Sequence, residues 1–497
     1  MLFLGFSAGV PLLLIFSSLS LWLREAGVER AAVTFFSWAA LGYSFKFVWA
    51  PLVDRVPLPW LTRIMGRRRA WMLVAQCSIM AAILWMAFID PARGEHSMTL
   101  MALAAVLLGF SSATQDIVID AYRIESVETD LQAMMSATYI AGYRIGMLAA
   151  GAGALFLAAG FGTEMGSYDY RAWQWTYMLM AAVMLVGVAT TLTIREPAGS
   201  RNGSAAHSTR DYLSFLLLFA LAASAFVTAF FFTAGPLGQV KTSVAAAVGN
   251  KQLVGFAVEA LRLALAVLAA WLIARVVLLA GVVNRGMVQE AYIEPVRDFF
   301  RRYGAATAWL LLALVGMYRI SDIVLGVISN VFYQDLGFTK AEIAAIVKTF
   351  GLFMTIVGGF LGGVLSLRYG VIRILFLGAV LSAATNLLFM LLAYLGHDIG
   401  MLYLVISADN LSAGLASAAF VAFLSSLTSV SFTAVQYAIF SSLMTLFPKL
   451  LGGYSGGMVE SIGYPGFFLF TTLLGVPVLW LVWRARRLLE LRGQGEG

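Results

Sequence analysis

The sequence is poor in the residues that most often carry enzyme chemistry or disulfide bonds. It contains one cysteine, Cys77, which lies within an apolar segment, so no intramolecular disulfide can form. Its three histidines, His96, His207 and His397, fall in predicted loops and are far apart in the chain. No metal-ligand cluster, nucleophile elbow or phosphate-binding loop is recognisable. These absences argue against a metal site and against a membrane enzyme such as an acyl- or glycosyltransferase.

Charge is also scarce. Charged residues make up 12% of the chain and hydrophobic residues 61%, whereas soluble domains carry about 25% charged residues. The apolar runs are long and lack the alternation of β-barrel strands. The sequence therefore predicts an all-α integral membrane protein. The fourteen predicted spans are at roughly 2–23, 31–53, 70–90, 98–121, 133–159, 173–194, 212–233, 253–283, 305–332, 342–366, 371–395, 400–428, 432–450 and 463–484.

The net charge of +7 follows from an uneven distribution of basic residues between the two sets of loops. With the N-terminus inside, nineteen arginines fall in the inner loops and C-terminal tail, against eight arginines and lysines in the outer loops. The positive-inside rule then places both termini in the cytoplasm. Because topology explains the basic charge, a nucleic-acid partner is not expected.

The chain contains an internal duplication. WLREAGVERAAV at 22–33 matches FYQDLGFTKAEI at 332–343, at a constant offset of 310 residues. Each copy ends one span, turns at a glycine and opens the next span. Two related helical halves are typical of secondary transporters. We therefore predict a six-helix bundle at 1–195, an extra transmembrane hairpin with an amphipathic cytoplasmic linker at 196–304, and a second six-helix bundle at 305–497.

The loop after the second predicted span carries a motif that points to gating. It holds Asp54-Arg55 and then Gly66-Arg67-Arg68-Arg69. Major facilitator transporters have a G-x-x-x-D-R-x-G-R-R pattern there, which this loop resembles in a stretched form. The resemblance implies a charge latch in which Asp54 pairs with basic groups or caps a nearby helix end. Plain positive-inside charge is the alternative. The residues assigned to gating are Asp54, Arg55, Gly66, Arg67 and Arg68.

Several short motifs in the first half resemble one family. They are GFSAGVPLLL at 5–14, WLREAGV at 22–28, YSFKFVWAPLVDR at 43–55, GRRRAWML at 66–73, TQDIVIDAYRIE at 114–125 and GYRIGML at 142–148. Together they are similar to AmpG-type muropeptide permeases, and their relatives the acetyl-CoA transporters share part of the set. The resemblance is dense over residues 5–195 and looser beyond.

This resemblance implies the major facilitator fold, with about 14 transmembrane helices. It implies proton-coupled import of anhydro-muropeptides (N-acetylglucosaminyl-1,6-anhydro-N-acetylmuramyl peptides) from periplasm to cytoplasm, for cell-wall recycling and β-lactamase induction. The expected partners are a sugar-peptide substrate, protons and the lipid bilayer of the bacterial inner membrane. No cofactor beyond the proton gradient is expected, and the protein is predicted to be a monomer.

Asp116 and Asp120 point to ion coupling because both lie in a predicted span and are four residues apart, on one helix face. A carboxylate at membrane depth costs about 3 kcal/mol or more and normally faces a cavity, a partner or a proton path. We assign proton coupling to Asp116, with Asp120 in support at the inner mouth and Lys46 as the cation. A static Lys46–Asp116 ion pair is the alternative.

Arg144 is the leading candidate for substrate binding. It lies eleven residues into the fifth span, about 16 Å deep, and its planar fork suits a carboxylate. Arg319 and Asp322, i and i+3 in the ninth span, form either a neutralising pair or a switch. The residues predicted to bind substrate are Arg144, Tyr43, Trp49, Gln115, Tyr122, Arg319, Asp322, Asp409 and Gln436. A channel is disfavoured because the halves differ at the key acids, and the alternative cargo is acetyl-CoA or another anionic metabolite.

Overall fold

The computed structural model describes residues 1–28, 45–128, 131–163, 166–197, 208–248, 251–339, 342–452 and 455–493, and it is built of helices joined by short connections. Within these ranges twelve helices are long and apolar enough to cross a membrane. Helix Leu2–Leu13 is apolar but shorter. Most of the predicted second span, with Tyr43, lies outside the described ranges. The prediction of an all-α membrane protein is confirmed, with twelve rather than fourteen candidate spans shown.

The chain divides into two compact units, of which the larger comprises 1–203 and 299–497. Its first-half helices are α1 (Leu2–Leu13), α2 (Leu19–Glu25), α3 (Ala50–Arg55), α4 (Leu61–Met65), α5 (Arg67–Ala87), α6 (Glu95–Ser126), α7 (Gln132–Leu148), α8 (Ala154–Gly160), α9 (Tyr170–Val183) and α10 (Leu185–Thr193). A π-helical turn, Leu14–Ser18, joins α1 to α2.

The smaller unit, 204–298, contains a hairpin of long apolar helices. Its helices are α11 (Thr209–Phe232), α12 (Ala234–Val248), α13 (Lys251–Leu279) and α14 (Arg285–Val288), and α15 (Glu294–Tyr303) crosses its boundary. Ser208 and Asp211 form a capping box at the start of α11. The Arg262 guanidinium donates to the Phe230 carbonyl oxygen at 2.9 Å, which ties α13 to α11.

The second-half helices of the larger unit follow. They are α16 (Ala305–Met317), α17 (Ile320–Asp335), α18 (Gly351–Tyr369), α19 (Val371–Leu395), α20 (Ile399–Leu427), α21 (Thr433–Gly452) and α22 (Ser455–Gly493). A π-helical segment, Ile343–Phe350, leads into α18. Helix α22 is interrupted at Gly463, whose φ of 70° lies in the left-handed region that favours glycine.

The larger unit has two hydrophobic cores. One is formed by buried residues between Val10 and Met184, including Trp22, Trp173 and Tyr177. The other runs from Phe299 to Ala485, with one contribution from the first half, Ile124. The residues before 204 and those after 298 therefore have largely separate hydrophobic cores.

Glycines bring helix backbones into close contact within the first half. A Cβ atom on Gly5 or Gly9 of α1 would lie 2.1 Å from the carbonyl oxygen of Tyr139 or Tyr143 on α7. In return, Gly142 and Gly146 of α7 face α1, where a Cβ would lie 1.9 and 2.1 Å from backbone oxygens. This reciprocal packing of small residues lets the backbones of α1 and α7 approach closely.

Candidate functional site

Polar contacts join the two halves at one end of the larger unit, where α3 and α6 end and α21 begins. The Asp54 carboxylate accepts hydrogen bonds from the backbone N–H groups of Ala434 at 3.4 Å and Val435 at 3.0 Å. On the same side, the Arg123 guanidinium donates to the Ser425 hydroxyl at 2.8 Å. We call the contacts of Asp54 and Arg123 with the second half the latch, and this end of the unit the latch end.

Asp54 is held in place by the arginines of the predicted gating motif. Arg68, which is 1% exposed, donates to Asp54 at 2.8 Å and to both carboxylate oxygens of Glu125 at 2.6 and 3.0 Å. Arg67 donates to the Asp54 carbonyl oxygen at 2.6 Å. Asp54 thus neutralises a buried guanidinium and at the same time caps α21, which places a negative charge at the positive end of a helix dipole.

The turn before α5 explains the glycine of the motif. Gly66 has a φ of 87°, which allows the chain to enter α5 directly. The Glu196 carboxylate then accepts hydrogen bonds from the backbone N–H groups of Arg68 at 2.8 Å and Arg69 at 3.1 Å. The remaining motif residue, Arg55, lies over the Phe432 ring at 5.7 Å, in the second half. All five predicted gating residues therefore lie at or beside the latch end.

A cluster of buried charges lies behind the latch. Lys46 is 3.7 Å from Asp120, and Asp120 is 3.6 Å from Arg123. The predicted Lys46–Asp116 ion pair is therefore wrong: the lysine, in a short turn before α3, pairs with Asp120, one helical turn nearer the latch end. Lys46 still acts on Asp116 electrostatically. Asp116 Oδ1 is buried and has no hydrogen-bond partner among the described residues.

Arg123 is the latch residue that the sequence interpretation did not select. Its side chain is fully buried and donates to Gln132 at 3.2 Å and Ser136 at 3.0 Å as well as to Ser425. Its guanidinium also lies over the Tyr437 ring, 5.2 Å from the centroid. The sequence interpretation treated it as inner-loop charge. Its position three residues after Asp120 in the same motif was the signal that could have identified it.

A cavity of about 360 Å³ lies between α7 of the first half and helices α17, α18 and α20 of the second. Residues along most of α17, from Asp322 to Tyr333, and the first half of α20 line it. Because α20 ends next to the latch, the cavity lies towards the opposite end of the larger unit. Its charged lining residues are Arg144, Arg319, Asp322, Lys348 and Asp409.

Some of the charged side chains in this cavity form ion pairs with described residues and others do not. Arg319 and Asp322 form an ion pair at 3.1 Å, and each is also hydrogen-bonded, Arg319 to Ser417 and Asp322 to Ser382. Arg144 makes no hydrogen bond or ion pair with any described residue, and the positive charge of Arg319 acts on it from the other half. An arginine without a carboxylate in a cavity is a site for an anionic group.

Four of the predicted substrate-binding residues meet in this cavity, namely Arg144, Arg319, Asp322 and Asp409. Two others lie in the first half outside its lining. Trp49 donates to Thr114 at 3.1 Å and packs its ring against Phe110. Gln115 is fully buried, and neither of its amide atoms has a partner among the described residues.

Two further predicted binding residues also lie outside the cavity lining. The Tyr122 hydroxyl donates to the Arg195 carbonyl oxygen at 2.9 Å, which ties α6 to the end of the first half. The Gln436 amide oxygen accepts from Arg302 at 2.9 Å and from the backbone N–H of Ser429 at 2.7 Å. Conversely, Lys348 lines the cavity although the sequence interpretation did not select it.

The larger unit consists of two helical halves with separate cores. A charged latch joins them at one end, and a charged cavity lies between them towards the other. This architecture is that of a secondary transporter. The model of the Major Facilitator Superfamily matches residues 1–317. The chain is 31% identical to the putative transporter AmpG 4 of Rickettsia conorii, over 96% of this chain and 94% of that protein. It therefore belongs to the AmpG-type permease family of the major facilitator superfamily, which is a transporter family and not an enzyme family.

Other similarities agree with this assignment. The anhydromuropeptide permease of Escherichia coli K12 is 28% identical, over 99% of this chain and 80% of that protein. The structure of the proton:xylose symporter XylE matches 97% of this chain and 93% of that chain with a TM-score of 0.58 at 11% identity. The fucose:proton symporter FucP of E. coli matches 97% of this chain and 96% of that chain with a TM-score of 0.60 at 10% identity. The two structural matches establish the fold, which is that of the major facilitator superfamily.

Proposed function

We propose that this protein imports anhydro-muropeptides from the periplasm to the cytoplasm of a bacterium, driven by protons, and so serves cell-wall recycling and the induction of β-lactamase. The observation that carries the proposal is the similarity to the E. coli anhydromuropeptide permease along nearly the whole chain. The cavity adds chemical support, because Arg144 offers a planar guanidinium to a carboxylate and muropeptides carry peptide carboxylates.

In this proposal the protein spans the inner membrane fourteen times with both termini in the cytoplasm. The helical continuity of residues 2–25 and the apolar character of 31–53 support two spans in addition to the twelve described. The excess of arginine in the loops on the side of the termini supports the orientation. The latch end is then the cytoplasmic end, and the cavity faces the periplasm. The hairpin of 196–304 is assigned a stabilising role, and the protein is taken to act as a monomer.

The proposed division of labour follows the two sites. Arg144, Arg319 and Asp322 contact substrate in the cavity that Asp409 also lines. Asp54 and its arginines hold the cytoplasmic gate, and Asp116, Asp120 and Lys46 take part in proton coupling. A latch of this kind is a two-state element, because closing it requires both halves to be in one arrangement.

Uptake of labelled anhydro-muropeptide into vesicles, with and without an inward proton gradient, tests the proposal. We expect concentrative uptake only with the gradient. Labelled acetyl-CoA, run in parallel, tests the alternative cargo of an anionic metabolite. Accumulation of acetyl-CoA without accumulation of muropeptide would overturn the assignment of substrate, and muropeptide uptake that ignores the gradient would overturn proton coupling.

A further inference from the structure

Two carboxylates that form no ion pair with a described residue, Asp116 and Asp409, lie at different depths of the larger unit. Asp116 is ten residues before the end of α6, and Asp409 is ten residues after the start of α20. Both helices are the fourth span of their half and end at the latch end. At about 1.5 Å per residue, Asp116 lies roughly 15 Å from the latch end of its helix and Asp409 roughly 27 Å from that of its own.

The two carboxylates also differ in their access to the cavity. Asp409 lines the cavity and is half-buried, whereas Asp116 is buried and is absent from the lining. The neighbouring side chains of Arg319 and Asp322 are 21% and 18% exposed, so water reaches this wall. A proton that enters the cavity in this conformation therefore meets Asp409 before it can meet Asp116.

The contacts of Asp409 leave it available for protonation. Its hydrogen bond among the described residues is a long one, from the Thr385 hydroxyl at 3.4 Å. Asp322 takes the charge of Arg319 at 3.1 Å, and Asp409 forms no ion pair with a described residue. The charged and titratable groups that share the cavity with it are Asp322, Arg319 and Tyr333 from α17 and its cap, Lys348 from the segment before α18, and Arg144 from α7. Asp409 is thus the cavity acid that can be neutralised without breaking an ion pair.

We propose that Asp409 is the group that binds the coupling proton from the cavity, an inference that rests on the proton-driven transport proposed above. A carboxylate oxygen of Asp409 forms an O–H bond with a proton delivered by hydronium, which becomes water. The proton later leaves to water on the other side, and the carboxylate is restored with no change in electron count. Asp116, which lies behind the latch, then takes part in releasing the proton at the latch end and not in accepting it from the cavity.

Asp409→Asn tests this inference, with Asp398→Asn as the matched control on the same helix. Asp398 caps α20 by accepting from the Met401 N–H at 2.8 Å, and asparagine caps equally well. We expect Asp409→Asn to retain substrate counterflow and to lose gradient-driven accumulation. The apparent substrate affinity from the cavity side should change by up to about tenfold per pH unit in the parent protein and in Asp398→Asn, and not at all in Asp409→Asn.

The outcomes separate this inference from the function on which it rests. If Asp409→Asn abolishes counterflow at every pH, Asp409 is a substrate contact and the inference is wrong. Gradient-driven accumulation by Asp409→Asn would overturn it as well. A parent protein without muropeptide counterflow would instead overturn the proposed substrate.

A second readout needs no substrate. Dicyclohexylcarbodiimide reacts with protonated carboxyl groups in apolar surroundings, and peptide mapping locates the adduct. We expect labelling at Asp409 that increases as the pH on the cavity side falls, with much less labelling at Asp116. Preferential labelling of Asp116 under these conditions would contradict the assignment of loading to Asp409, whatever the substrate.

Discussion

The carboxylate of Asp54 accepts a hydrogen bond from the backbone N–H of Val435 at 3.0 Å, although the two residues are 381 positions apart and belong to different halves of the transporter. The same carboxylate accepts from the buried Arg68. One side chain therefore neutralises an arginine of its own half and caps a helix of the other. When the halves separate at the latch end, Asp54 must lose its contacts with α21, so the cap exists in one conformation only.

Asp54→Asn should weaken the latch and favour opening of that end. The amide keeps the size of the side chain but removes the charge that stabilises the start of α21, a contribution of about 0.3–1 kcal/mol, and up to about 2 when partly buried. In a Cys77→Ser background, a cysteine at Ser429, beside the latch, reports opening by its rate of reaction with a maleimide. We expect that rate to rise severalfold.

Arg63→Gln is the control for the latch, because it removes a charge in the same loop from an exposed side chain that makes no hydrogen bond or ion pair with a described residue. It should leave the labelling rate at residue 429 unchanged. Equal rates for the parent protein and Asp54→Asn would show that the cap does not hold the gate.

Arg144→Lys should weaken binding of the anionic substrate. A lysine keeps the positive charge but cannot reproduce the bidentate geometry of the guanidinium. Loss of one charge-assisted hydrogen bond costs about 1.5–3 kcal/mol, so the half-saturating concentration in counterflow should rise about tenfold or more. Arg171→Lys, on an exposed arginine at the start of α9, is the control. If the affinity for substrate is unchanged in Arg144→Lys, Arg144 has a structural role and does not bind the substrate.

Gly9→Ala should destabilise the first half. The new Cβ would lie 2.1 Å from the Tyr143 carbonyl oxygen, which is backbone and can move only if α1 and α7 separate. Overpacking of this kind costs about 1–3 kcal/mol. Gly160→Ala is the matched control, since a Cβ there has no neighbour within 4 Å. A thermal unfolding midpoint that falls for Gly9→Ala and holds for Gly160→Ala would support the packing argument, and equal midpoints would refute it.

The features that sequence could predict are those that repeat or that lie within a few residues of one another. Apolar run length gave the membrane helices, and the 310-residue offset between WLREAGVERAAV and FYQDLGFTKAEI indicated the halves. The i,i+3 spacing indicated the Arg319–Asp322 pair, which the structure contains. Local spacing constrains pairs such as this one strongly, because the geometry of the α-helix places residues three or four positions apart next to each other.

Contacts between distant segments were not predictable in the same way. Lys46 pairs with Asp120 and not with Asp116. The two aspartates are one helical turn apart, and the sequence of a single helix does not show at which height a residue of another segment packs against it. The fully buried Arg123 guanidinium contacts Ser425 and Tyr437 of the other half, and local spacing does not indicate these contacts. Similarly, Lys348 reaches the cavity through a π-helical segment that apolar periodicity does not reveal.

The role of Asp116 in coupling can be separated from a purely structural one by Asp116→Asn, which keeps the shape of the side chain and removes its charge. Lys46 is already paired with Asp120 at 3.7 Å, so loss of the Asp116 charge leaves that ion pair in place. We therefore expect a folded protein that still binds substrate and performs counterflow, but whose accumulation no longer responds to a proton gradient.

Asp116→Asn should differ from Asp409→Asn in one respect, because Asp116 does not line the cavity. If Asp116 acts on the release side, the affinity for substrate from the cavity side should keep its dependence on pH in Asp116→Asn. Lys46→Gln shows what loss of a structural ion pair looks like. It removes the lysine partner of Asp120 and leaves Arg123 as its remaining cation, so it should reduce the yield of folded protein. Gradient-driven accumulation by Asp116→Asn at the level of the parent protein would exclude Asp116 from coupling, and the buried, unpartnered Oδ1 would then require another explanation.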